Sequence, residues 1–243
     1  MFNKENCVIL GKSVLSIIIS YILGSVSGGF IAQVLLKADP QNEQNIRELC
    51  ISIFIIIFLR FFMKLSIFNK IAEPKKSIEI MLAIILLSLI TNHDQLFSNF
   101  TFQILVTVIV VGIYEEILFR GIIFVPLTRI FQNQRHGFLW ASVVSSLIFA
   151  AAHLNNLSGQ SLAYTLGIQC VFAFICGMFF SLLYQVSDNI LLPIFAHFVI
   201  DLIAMSAAQF SVTKVDLATT IEIVIFVICS VVIYLYFVRG EKY

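Results

Sequence analysis

Within residues 112–121, GIYEEILFRG, two adjacent glutamates and an arginine sit inside an otherwise apolar run. Glu116 and Arg120 are four residues apart, so on a helix they share a face and can pair. Glu115 is turned about 100° from Glu116 around the same helix. That geometry divides the labour: Arg120 can neutralise Glu116, leaving the Glu115 carboxylate for chemistry. Two more polar groups follow along the chain. FAAAH puts Phe149 and His153 four apart, and HFVID does the same with His197 and Asp201. The second spacing lets a carboxylate orient an imidazole, or lets both point at one ion or one oxygen. A carboxylate and imidazoles around a wet cavity can activate water, with glutamate as general base and a second polar pair holding an oxyanion. Charges at membrane depth are costly, so groups of this kind read as a hydrolase or as an ion-coupled transporter. Set against this stands a structural reading, in which the charges only fix helix packing and His153 is an interfacial hydrogen-bonding residue.

The elements that must position these groups are membrane helices. Of 243 residues, 60% are hydrophobic and 12% charged, with mean hydropathy +1.00. Soluble domains are about 45–50% apolar and about 25% charged, so the composition excludes an ordinary water-soluble domain. A bilayer is crossed by about 20 apolar residues in a helix. On that measure eight segments qualify: 13–36, 46–64, 78–92, 101–126, 138–154, 162–186, 189–207 and 217–238. The expected fold is all-α, a polytopic membrane helical bundle of about eight transmembrane helices. It forms a single transmembrane domain over 1–243, with 101–206 as its catalytic core. Gly24, Gly28 and Gly177 are expected to permit close helix approach.

Positive charge orients the bundle. With the N-terminus cytoplasmic, only Lys37, Arg47 and Lys214 fall outside, and the other basic residues beyond the spans fall inside. Both termini are therefore expected in the cytoplasm of a multi-pass cell-membrane protein. Basic residues form no phosphate-binding face, so nucleic acid is not an expected partner. Five cysteines show no CxxC pair and suggest neither a disulfide framework nor a cysteine metal site. On this topology Glu115 and His197 fall near mid-membrane, while His153 falls near the outer end of its span.

Taken together, EEILFR (Glu115–Arg120), FAAAH (Phe149–His153) and HFVID (His197–Asp201) match the patterns EExxxR, FxxxH and HxxxN/D in order. The chain resembles the CPBP family of intramembrane proteases, also called the CAAX-protease and bacteriocin-processing family. The resemblance covers roughly residues 101–206. It implies a multi-pass endopeptidase whose partners are a peptide or protein substrate at the membrane and the lipid bilayer. By the same resemblance, Glu115 activates water with His153 assisting, and His197 and Asp201 help to stabilise the tetrahedral intermediate. Glu116, Arg120 and Phe149 support. Many family members carry asparagine where this chain has Asp201, and an ionised carboxylate accepts but cannot donate a hydrogen bond. Asp201 therefore orients His197, is protonated, or ligates a metal. The family has been labelled metalloprotease, so a divalent metal such as zinc on Glu115, His153, His197 and Asp201 stands beside a cofactor-free site, which the absence of an HExxH helix favours.

The implied substrates are prenylated CAAX proteins or bacterial peptides, in bacteriocin or pheromone maturation or self-immunity. A second reading is a non-catalytic membrane scaffold or bacteriocin-immunity partner on the same fold. A transporter ranks last, because the chain has no pair of matching halves.

Overall fold

A computed structural model describes residues 4–91, 96–158, 162, 165–207 and 217–239. Its helices are α1 (Lys4–Phe30), α2 (Pro40–Ile57), α3 (Pro74–Thr91), α4 (Phe102–Glu116), α5 (Val125–Phe131), α6 (Gly137–Ala152), α7 (Val171–Ser187), α8 (Leu191–Ala207) and α9 (Leu217–Val238). Wider π-type turns extend or join several of them, notably Ile117–Phe124 between α4 and α5. No strand occurs among the described residues; Phe68 and Asn189 make one isolated bridge.

The all-α membrane bundle expected from composition is what forms. Among the described residues the span count is below the eight expected: four helices are long and apolar enough to cross a membrane, at Lys4–Leu36, Phe102–Phe131, Gly137–Asn155 and Thr165–Ser187, with shorter apolar helices at Leu191–Ser206 and Val224–Val238. The expected segments 46–64 and 78–92 are not among these. Helix α2 opens with Gln41, Asn42, Glu43, Gln44 and Asn45, followed by Arg47 and Glu48, and α3 opens with Lys75 and Lys76 and carries Glu79. Parts of the expected segments 78–92 and 162–186, together with Lys214 and Lys242, lie outside the described residues.

Local chemistry sets the helix starts. The Asp39 carboxylate accepts from the backbone N–H groups of Gln41 and Asn42 at 3.1 and 3.2 Å, with Pro40 in the first turn. Thr101 Oγ1 accepts from the Ile104 N–H at 3.1 Å and begins α4. The Asn189 side chain accepts from the Leu191 N–H at 2.8 Å and begins α8.

Small residues set how closely the helices pass. A Cβ on Gly24 would lie 2.5 Å from the Ile51 Cα, and one on Gly28 would lie 2.7 Å from the Arg47 Cα, so α1 and α2 cross nearly backbone to backbone. A Cβ on Gly177 would meet Ser146 at 2.9 Å, which brings α7 onto α6. At Gly112 a Cβ would lie 3.3 Å from both the Ile194 carbonyl oxygen and the Phe198 nitrogen. That crossing of α4 with α8 brings the glutamates beside His197.

Candidate active site

The glutamates end α4, and the helix widens into the π-type turn immediately after them. π-type segments within α-helices recur at functional sites. Arg120 lies on that turn. Its Nη1 donates to Glu116 Oε1 at 2.8 Å, and both side chains are fully buried. Phe149 and Phe180 close over the guanidinium, with ring centroids 4.6 and 5.0 Å from its Cζ. A desolvated cation on aromatic faces gains up to about 2 kcal/mol. This helps to offset the unpartnered Nε and Nη2 of Arg120 and Oε2 of Glu116 among the described residues.

Glu116 also holds His197, whose Nδ1 lies 2.8 Å from the same Oε1. Nε2 of His197 lies 3.6 Å from Glu115 Oε2 and 3.3 Å from Asp201 Oδ2. One imidazole thus stands among three carboxylates drawn from two helices. Phe180 stacks on it at 4.9 Å with 22° between the planes, and Phe149 meets it edge-on at 5.8 Å. Access separates the acids. Glu116 is 0% exposed, whereas the side chains of Glu115 and Asp201 are 21% and 26% exposed, so those two face the open side.

His153 caps the C-terminal end of α6, beside the start of a 3₁₀ turn at His153–Ser158. Its Nδ1 lies 3.0 Å from the Phe149 carbonyl, which can only accept, so Nδ1 carries the hydrogen and Nε2 stays open as a base. The Phe149 ring touches His153 edge-on at 5.0 Å. Both imidazoles therefore border one phenylalanine. The structure brings Glu115, Glu116, Arg120, His197 and Asp201 into direct contact, and attaches His153 through Phe149.

Phe180 is absent from the motifs, yet it covers both Arg120 and His197. Among 24 phenylalanines no spacing marks it. Among the described residues, no three or more of His, Cys, Asp and Glu are grouped as a set of metal ligands. His197 Nδ1 is taken by Glu116 and His153 Nδ1 by a backbone carbonyl.

All three motifs fall inside the segment that comparison with known families picks out. Residues 97–203 match the family of Rce1-like type II CAAX prenyl endopeptidases. The family resemblance seen in the motifs therefore holds over the Rce1-like segment. That segment supports a CAAX-type intramembrane endopeptidase, a protease acting on membrane-embedded protein substrates amid lipid. No curated protein and no solved structure matches the chain.

Proposed function

We propose that the chain is an intramembrane endopeptidase in which Glu115 activates the hydrolytic water. The observation that carries this reading is the contrast between two neighbouring glutamates. Glu116 is buried and committed to Arg120 and His197, while Glu115 is partly open beside the His197 Nε2.

In the first step the Glu115 carboxylate takes a proton from water as the water oxygen bonds to the scissile carbonyl carbon, and the C=O electron pair moves to oxygen. His197 in its doubly protonated form keeps one N–H on Glu116 and has a second at Nε2 for that oxyanion. Asp201, 3.3 Å away, holds Nε2 in place. Collapse of the intermediate restores the C=O bond and breaks the C–N bond. The departing nitrogen takes a proton from Glu115, directly or through the open Nε2 of His153. The products are a carboxylate and an amine, with no further reactant. No step is routed through a metal.

The substrate is a membrane-associated peptide. In this reading it is a bacterial bacteriocin or pheromone precursor, or a CAAX-type protein, and both termini of the protease face the cytoplasm. The reading is tested with purified protein given prenylated CAAX peptides and leader-bearing bacterial precursors in lipid vesicles, with products read by mass spectrometry. Cleavage at one defined bond in either class is the expected result. Intact peptides after incubation with folded protein that still binds them would leave the scaffold reading in its place.

A further inference from the structure

Helices α2 and α4 begin side by side and run in the same direction along a polar seam. Gln103 Nε2 donates to Asn42 Oδ1 at 3.3 Å, and Gln41 Nε2 and Asn45 Nδ2 donate to Thr107 Oγ1 at 3.5 and 3.3 Å. Up to that level the seam explains itself as polar contact between helices. One turn further along α2, Glu48 does not fit that description. Its Oε1 accepts from Gln44 Nε2 at 2.9 Å, but its buried Oε2 accepts from no donor among the described residues. Neighbouring Arg47 does not serve it. That guanidinium donates to Glu43 Oε1 at 2.9 and 2.6 Å and to the Ser25 carbonyl at 2.6 Å. A buried carboxylate oxygen without a donor is costly, which makes it an acceptor waiting for a partner.

One phenol lies within electrostatic range of it, and a second phenol meets the first. Tyr114 is buried, precedes Glu115 in the chain, and lies within electrostatic range of both Glu48 and Glu115. Its hydroxyl meets that of Tyr21 on α1, with the rings edge to face at 6.4 Å. Tyr21 is 43% exposed, so this pair reaches the outside of the bundle. A carboxylate with spare acceptor capacity, within electrostatic range of a phenol, suits an organic cation.

We propose that Glu48, with Tyr21 and Tyr114, is a specificity subsite for a lysine or arginine side chain of the peptide whose scissile bond lies at Glu115. The subsite rests on the endopeptidase reading, but its test does not. The probe is a hydrophobic decapeptide carrying one lysine, scanned through its positions, with norleucine at the same position as the uncharged match. Binding is measured by fluorescence anisotropy on the Glu115→Gln protein and on the Glu115→Gln/Glu48→Gln protein, each checked by thermal melting.

At one or two positions lysine should bind roughly tenfold tighter than norleucine, the worth of one charge-assisted hydrogen bond. With Glu48→Gln that ratio should fall to near one. Equal affinity for the two peptides at every position, or a lysine preference that survives Glu48→Gln, overturns the subsite. Failure of the wild-type protein to cleave the bound lysine peptides would count against the endopeptidase reading, while the binding ratio still decides the subsite.

Discussion

A guanidinium buried between two phenylalanines is tolerable only while its carboxylate remains. At Glu116, one oxygen accepts from Arg120 at 2.8 Å and faces His197 Nδ1 at 2.8 Å, so this side chain holds both the charge balance and the imidazole. Removing one partner of a buried pair costs about 3–5 kcal/mol, because the other charge is left uncompensated. Glu116→Ala should therefore lower stability by about that amount, read by denaturant unfolding in detergent, and should abolish cleavage as well. Arg120→Met with Glu116→Gln should recover much of the stability, since no lone charge remains, without recovering activity. The pairings inside one helix were legible in the sequence because a four-residue spacing puts both members on one face. The contact of Glu116 with His197 was not legible, since no spacing relates two helices. Nor was Phe180, whose role depends entirely on where α7 packs.

At the scale of elements, the site exists because α4 and α8 pass closely at Gly112. A larger side chain there would press on the Ile194 carbonyl and the Phe198 backbone, neither of which can rotate away. Gly112→Val should cost about 1–3 kcal/mol by overpacking and should separate Glu115 from His197, lowering activity far more than stability. Gly11, where a Cβ would meet nothing within 4 Å, is the matched control, and Gly11→Ala should change neither. Melting and cleavage rates on the two variants check this. Close approach was anticipated at Gly24, Gly28 and Gly177 from the abundance of small residues in membrane helices. The crossing at Gly112 was not, because its glycine, three residues before EExxxR, has Val108 and Glu116 rather than small residues at the four-residue spacing. Apolar length alone also overstated the spans: among the described residues four helices are long and apolar enough to cross, and α2 and α3, whose opening turns carry charge, are not among them.

For the whole molecule, the order of three motifs along the chain was the most informative feature, since it coincides with the Rce1-like segment at residues 97–203. What order could not convey is the distribution of donors around the site. His197 and His153 each have one nitrogen committed within the protein, to Glu116 and to a backbone carbonyl. Water activation by Glu115 with imidazole partners needs no ion, so a strong chelator should leave the cleavage rate unchanged. Loss of activity on chelation, restored by zinc, would contradict that.

The central claim is that the Glu115 carboxylate generates the nucleophile, and the most direct measurement is the cleavage rate of Glu115→Gln beside wild type in the same lipid. The glutamine variant keeps the size of the side chain but cannot take a proton from water. The rate should fall by roughly 100- to 10,000-fold, the usual worth of a positioned general base, with an unchanged melting temperature. A folded Glu115→Gln protein that cleaves the same bond at the wild-type rate would contradict the mechanism.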